Sequence, residues 1–322
     1  MPHMRIVFMG TPYFAVPALR AINARGHEIA LVVTQPDRRA GRGRKLCCPP
    51  VKDAAVELGL PVDQRRSVNC EEFVGELSRI EPDAVVVVAF GQILCEEILE
   101  APRLGAVNLH ASLLPEYRGV APINWAIVEG KRETGVTTMF MEKKVDAGEI
   151  ILRRSTPIGD DETAGELTER LADMGAELLV ETLELLGRGD APRQEQDRSR
   201  ASYARKLTKA DGEIDWSLPA QAVHDHIRGM TPWPGAWTRF RGRTLKVLRA
   251  GLGAKGGSAG APGEIVSVDE DNGIEVAVGE GTVRLLRLQP EGRPAMEASA
   301  FVCGYRPDVG SRPFGDAAGE GE

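Results

Sequence analysis

The sequence predicts an α/β protein in two parts: a first domain built on a mostly parallel sheet, then a small β-barrel. Two observations carry this. The first half alternates short apolar runs with amphipathic stretches, the strand–helix–strand order that builds a parallel sheet with helices on both faces. Beyond about residue 210 the runs become short, β-rich and separated by glycine turns, as in a small barrel or sandwich. A chain of 322 residues divides naturally into two domains, and either arrangement buries a sizeable core.

The elements follow in order. Arg5–Met9 reads as a short apolar strand and Phe14–Arg25 as a helix that tolerates Pro17 in its first turn. Glu28–Thr34 is a buried strand, and Pro50–Leu58 is a helix opening on proline. Asp83–Ala89 contains four consecutive valines without alternation, which indicates burial on both faces. Ala106–His110 is a further strand. A long helix closes this half, with Thr163 and Glu166 at capping-box spacing and Leu167, Leu171, Met174 and Leu178 at helical intervals. The polar stretch after Gly187 has no apolar period and reads as a linker. One helical stretch, Leu218–Arg228, and strands at Trp237–Phe240, Thr244–Arg249, Gly263–Val268, Gly273–Val278 and Gly281–Leu288 complete the chain. The expected domains are therefore 1–189, a linker over 190–209, a second domain over 210–314 and a disordered tail over 315–322.

Composition excludes several classes. Hydrophobic residues make up 42% and charged residues 27%, ordinary for a globular protein, and no run approaches the roughly 20 apolar residues of a membrane span. The N-terminus lacks signal-peptide features, and Met4 can serve as a start that leaves residues 1–3 outside the fold. The five cysteines form no CxxC pair and are odd in number, which argues against a disulfide framework or structural zinc and fits the cytoplasm. Net charge is −7, but Arg38, Arg39, Arg42, Arg44 and Lys45 concentrate positive charge in one loop, and Arg239, Arg241, Arg243, Lys246 and Arg249 form a second basic cluster.

The chemistry centres on Val107–Gly119. Asn108 and His110, two apart on a strand, point to one face at the carboxyl end of the sheet, where open α/β folds place their sites. A carboxamide can bond the oxygen of a carbonyl becoming tetrahedral, and an imidazole can hold or move a proton while an amine attacks. The plainer alternative is two polar residues at a strand end. Asp146 lies in a turn before Ala147 and Gly148, where aspartate often serves turn chemistry alone.

Asn108-x-His110, then Ser112-Leu113-Leu114-Pro115-x-x-Arg118-Gly119, then Asp146-x-Gly148-Glu149-Ile150, together resemble the folate-dependent formyltransferase family. The resemblance implies a Rossmann-like formyltransferase domain and an OB-like barrel. It implies Asn108, His110 and Asp146 as the catalytic set. Ser112, Leu113, Leu114 and Pro115 match a folate-contacting loop, and Phe90, Gly91, Gln92, Ile93 and Leu94 a loop beside the pterin pocket. The co-substrate it implies is 10-formyltetrahydrofolate, with no metal. Further segments, Thr34–Arg38, Gly41–Leu46, Ile214–Ser217 and Pro232–Trp237, are similar to bacterial members of the family that formylate the α-amine of methionyl-initiator tRNA, and a monomer is expected. One departure is Cys47-Cys48-Pro49 where such members usually read x-Pro-Ser.

Gly10-Thr11-Pro12 occupies the Rossmann phosphate-loop position without its glycines, which argues against a dinucleotide. Residues 35–46 form a long polar loop whose arginines suit phosphate contact, and the resemblance makes it a wedge against the tRNA acceptor stem. Arg239, Arg241 and Arg243 alternate in a β-like run and are expected to share one face, a second phosphate track or an exposed charged strand. Two other functions remain open: formylation of a nucleotide-linked amino sugar, and RNA binding by an inactive formyltransferase fold.

Overall fold

The computed structural model describes residues 3–40, 45–253, 260–269, 273–312 and 314, with the side chains of residues 40 and 45 outside that description. The expected tail, 315–322, lies outside it too. Strand β1 (Arg5–Gly10) is buried from its second residue onward, as its unbroken apolar run requires. Helix α1 (Val16–Ala24) follows with proline in its first turn. Next come β2 (Glu28–Val33), the short strands β3 (Arg38–Ala40) and β4 (Lys45–Cys47), α2 (Pro50–Glu57) and β5 (Val62–Asp63). The sequence reading passed over α3 (Glu71–Ile80), which turns Phe73 and Leu77 into the core, and the five-residue α4 (Glu96–Glu100). Between them β6 (Ala84–Val88) is wholly buried, as its valine run demands, and after them β7 (Ala106–His110) is buried throughout.

The chain continues through β8 (Arg118–Gly119), α5 (Pro122–Val128), β9 (Glu133–Phe140), β10 (Ile150–Pro157) and α6 (Ala164–Arg188). The main sheet runs β10-β9-β7-β6-β1-β2-β5. The pairs β1–β2, β1–β6, β6–β7 and β2–β5 are parallel, and β7–β9 is antiparallel. The capping box at the start of α6 is present: the Thr163 N–H donates to Glu166 at 2.8 Å, and the Glu166 N–H to Thr163 Oγ1 at 3.3 Å.

The stretch 190–209, expected as a linker, is bound to the sheet domain over much of its length. Gln194 bridges Ile150 in antiparallel fashion. Strand β11 (Tyr203–Ala204) pairs in parallel with β8. Gln196 and Ala204 are buried. No apolar period announces this because the segment is held through hydrogen bonds rather than by an apolar face.

The remaining chain forms α7 (Ala220–Gly229), β12 (Ala236–Phe240), β13 (Arg243–Leu252), β14 (Ile265–Asp269), β15 (Gly273–Ala277), β16 (Thr282–Pro290), β17 (Met296–Glu297) and α8 (Ala298–Tyr305), the last unanticipated from sequence. Strands β12-β13-β16-β15-β14 build an antiparallel sheet, with β17 beside β16. Phe240, Phe301 and Phe314 pack beneath it. By packing, the described residues form one compact unit within 1–122, 133–156 and 168–204, and another within 123–132, 157–167 and 205–314. The chain thus passes between units several times, where the sequence suggested one crossing. No helix among the described residues is long and apolar enough to cross a membrane.

Candidate active site

Strand β7 ends at the site. Its register sets Asn108 opposite Met139 and His110 opposite Thr137 on β9. The period-two geometry of a strand places both polar side chains on one face. Both are largely buried, at 9% and 6% exposure. Burying a carboxamide without a partner is costly, yet no described residue hydrogen-bonds that of Asn108. Its donors and acceptor are available to a ligand.

His110 Nε2 lies 2.9 Å from the Tyr117 carbonyl oxygen. A carbonyl only accepts, so Nε2 carries a hydrogen, and Nδ1 is the nitrogen that can take up or release a proton. Nδ1 lies 3.8 Å from Asp146 Oδ2, longer than a hydrogen bond but within ion-pair range. Asp146 sits between β9 and β10 with φ of 52°, a left-handed conformation uncommon outside glycine but tolerated by aspartate. Its Oδ2 also accepts the Gly119 N–H at 2.8 Å. Gly148, two residues on, has no room for a side chain: an added Cβ would stand 1.9 Å from the Phe140 carbonyl oxygen.

The loop after β7 is fixed from β9 and β10. Thr137 Oγ1 donates to the Ser112 carbonyl at 2.6 Å and accepts the Leu114 N–H at 3.2 Å. Arg153 Nη1 donates to the Leu114 carbonyl at 3.1 Å. The Ser112 hydroxyl donates to the Glu116 carbonyl at 2.6 Å. Ser112, Leu114 and Pro115 are buried, and of the four residues expected to contact folate only Leu113 is partly open. In the loop from Phe90 to Leu94, Phe90 and Leu94 join the apolar core, whereas Gly91 and Ile93 face outward, Ile93 at 69% exposure. The Phe90 carbonyl accepts from Thr11 Oγ1 at 3.1 Å. Gln92 Oε1 accepts the Val68 N–H at 3.1 Å, while its buried Nε2 has no partner among the described residues.

Part of the basic loop is a hairpin, β3 paired with β4. Its base is anchored by Asp37, which accepts from Lys52 at 2.7 Å and Gln64 at 2.7 Å, and lies 3.6 Å from Cys48 Sγ. Bonds from Lys52 and Gln64 hold the Asp37 carboxyl below its ordinary range. Arg38 and Arg39 are exposed, and Arg38 donates to Gln35 at 3.0 Å. Arg42 and Arg44 lie outside the described residues, as does the Lys45 side chain.

The second arginine group departs from expectation. Arg241 and Gly242 form the turn of a hairpin, with Arg239 opposite Thr244 and Phe240 opposite Arg243. Arg239 and Arg243 therefore belong to opposite faces rather than one. Arg241, at φ of 48°, donates to the carbonyls of Tyr305 and Arg306 at the end of α8 and stacks on Phe240. It caps a helix.

Four residues escaped sequence reasoning: Thr137, Tyr117, Arg118 and Gln196. Thr137 holds the loop and Tyr117 orients His110. Arg118 and Gln196 lie behind Asp146. Arg118 was visible only as part of a motif, and Gln196 only as one polar residue among many. Among the described residues no group of three His, Cys, Asp or Glu could hold a metal ion.

An amide, an imidazole and a carboxylate gathered at the carboxyl end of a doubly wound sheet suit acyl transfer to an amine. Residues 4–183 match the family described as Formyl transferase, and residues 206–306 that described as Formyl transferase, C-terminal domain. The chain belongs to the formyl transferase family. It is 49% identical over 306 residues to the methionyl-tRNA formyltransferase of Citrifermentans bemidjiense, covering 95% of each. It is 50% identical over 316 residues to that of Heliobacterium modesticaldum, covering 96% of this chain and 99% of the relative. Among solved structures it is similar to HypX from Aquifex aeolicus in complex with tetrahydrofolic acid, with TM-score 0.67, 18% identity, and 96% of this chain against 48% of that one. It is likewise similar to WlaRD, a sugar 3N-formyl transferase, with TM-score 0.64, 18% identity, and coverage of 91% and 100%. At these identities the two structures share the fold.

Proposed function

We propose that the chain transfers the formyl group of 10-formyltetrahydrofolate to the α-amino group of methionyl-initiator tRNA. The observation that carries the reading is the meeting of His110 with Asp146, 36 residues apart in sequence, beside an Asn108 carboxamide with no partner among the described residues. Near-full-length relatives named for this activity support the choice of substrate.

Asn108 donates to the formyl oxygen and gains strength as that oxygen becomes anionic. His110 has spent Nε2 on the Tyr117 carbonyl, so Nδ1 is the atom that takes a proton from the attacking amine. Asp146 faces Nδ1 and stabilises the imidazolium formed there. The new C–N bond makes the formyl carbon tetrahedral; as the oxyanion collapses, the bond to the folate nitrogen breaks and His110 returns its proton to that nitrogen. The loop from Phe90 to Leu94 supplies an apolar edge and, at Gln92 Nε2, a buried donor with no acceptor among the described residues, a combination that fits a heteroaromatic ring. Arg38 and Arg39, on an anchored hairpin, supply phosphate contacts. An odd number of cysteines with no CxxC pair supports action in a reducing compartment, the cytoplasm.

The test incubates the protein with 10-formyltetrahydrofolate and methionyl-initiator tRNA, scoring formylmethionine, with an elongator tRNA as control. Formylation of the initiator alone supports the reading; formylation of a nucleotide-linked amino sugar but not of either tRNA overturns it.

A further inference from the structure

Gln196 stands 50 positions after Asp146, in the stretch first expected to be a linker. Its carboxamide is buried and every hydrogen-bonding position on it is used. Nε2 donates to the Asp146 carbonyl at 3.0 Å and to the Gly148 carbonyl at 2.8 Å, so the two hydrogens of one amide grip a three-residue turn at both ends. Oε1 accepts from Arg118 twice, from Nε at 3.2 Å and Nη2 at 2.7 Å.

Arg118 is the unusual partner. It is 2% exposed, always charged, and has no ion pair with a carboxylate among the described residues. A buried cation needs strong acceptors, and Gln196 Oε1 meets that need. Donation from a cation into the amide oxygen polarises the amide, which makes its N–H groups better donors to the two carbonyls.

The backbone around Arg118 reaches the remaining reactive group. The Tyr117 carbonyl receives His110 Nε2, and the Gly119 N–H holds Asp146 Oδ2. The segment after Gln196 grips that backbone in turn: the Tyr117 N–H donates to Ser202 Oγ at 2.8 Å and the Arg118 N–H to the Ser202 carbonyl at 2.9 Å.

We propose that Gln196, polarised by Arg118, is a positioning residue that sets the separation between the Asp146 carboxylate and His110 Nδ1. It touches no substrate and acts through the turn that bears Asp146. The inference rests on the reading of His110 and Asp146 given above.

Gln196→Glu tests it. The carboxylate keeps an acceptor for Arg118 and pairs with it, but it presents lone pairs to the Asp146 and Gly148 carbonyls in place of two donors. The expected result is a melting temperature near that of the parent and a kcat lower by about a hundredfold, the scale of a small misplacement of a catalytic group. KM for formyl-folate and for methionyl-tRNA stays near the parent value. Arg118→Lys, which keeps the charge and a donor, retains more turnover than Arg118→Met. If Gln196→Glu does not fold, Gln196→Asn, too short to reach both carbonyls, is read by the same criteria. A parent-like kcat, or a loss carried by KM, overturns the proposal. Asp146→Asn is assayed alongside: its inactivity beside a normal Gln196→Glu refutes the positioning role alone, whereas its normal turnover refutes the catalytic reading beneath it.

Discussion

Asp146 Oδ2 accepts the Gly119 amide at 2.8 Å while standing 3.8 Å from His110 Nδ1. One carboxylate oxygen thus serves the backbone and faces the imidazole together. That double engagement fixes what each substitution at the site should do.

Asn108→Ala removes a carboxamide that no described residue uses, so the fold should stand while formyl transfer slows by about 10²–10³-fold. His110→Ala should cost about 10²–10⁴-fold. Single-turnover formylation together with a melting curve checks both. Near-parental rates in either variant would remove the residue from the reaction.

Gly148→Ala should damage stability and turnover together. Its Cβ has nowhere to go against the Phe140 carbonyl, and any shift drags the turn that carries Asp146. A loss on the order of 2–4 kcal/mol in denaturant unfolding is expected, in the range of severe single substitutions. An unchanged unfolding midpoint would show that the turn yields more easily than its packing indicates.

Stability should fall as the medium becomes mildly acidic. Burial pushes the imidazoles of His27, His224 and His226 below their usual 6.5. The unfolded chain therefore binds these protons first, and the stability that neutral imidazoles contribute is present above about pH 6.5 and lost as pH falls through their folded values. Asp161 and Asp225 beside His224, and Asp211 and Asp215 near His226, favour the charged imidazoles, but burial outweighs them, helped at His224 by Arg228. Carboxylates held low by their partners, such as Asp83 and Asp211, stay ionised across that window and titrate only in stronger acid. Urea midpoints measured from pH 8 to pH 5 check this; a flat profile between pH 6.5 and 5 contradicts it.

The two arginine groups should separate cleanly. Arg39→Glu should raise KM for methionyl-tRNA about tenfold at low salt and leave KM for formyl-folate alone, because a phosphate contact carries salt-dependent affinity. Arg241→Ala should do the reverse in kind: a lower melting temperature from the uncapped α8, with KM for tRNA unchanged. A raised KM for tRNA in Arg241→Ala would return that residue to the nucleic-acid surface.

The sheet domain was legible because parallel strands buried on both faces write continuous apolar runs: Val85 to Val88 could hardly be anything else. Helix α6 was legible from its capping residues. Asn108 and His110 were legible because two positions on one strand share a face whatever surrounds them. Asp146 was legible only through its motif, since a non-glycine left-handed turn leaves no periodic trace. Gln196 left none at all. Its role arises from where two carbonyls and a guanidinium happen to converge, and a polar residue in a polar stretch carries no mark of that. Arg239, Arg241 and Arg243 misled for a related reason: alternation implies a shared face only within one strand, and the glycine at 242 turns the chain back between the second and third.

The pairing of β8 with β11 has a practical corollary for anyone trimming this enzyme. A cut after α6 looks natural, since the helix ends cleanly near Arg188. It would discard Gln196, Ser202 and Ala204, and with them the clasp on residues 117–119. Such a fragment would retain Asn108, His110 and Asp146 but lose these bonds, so a piece meant to preserve the proposed site should run at least through Ala204.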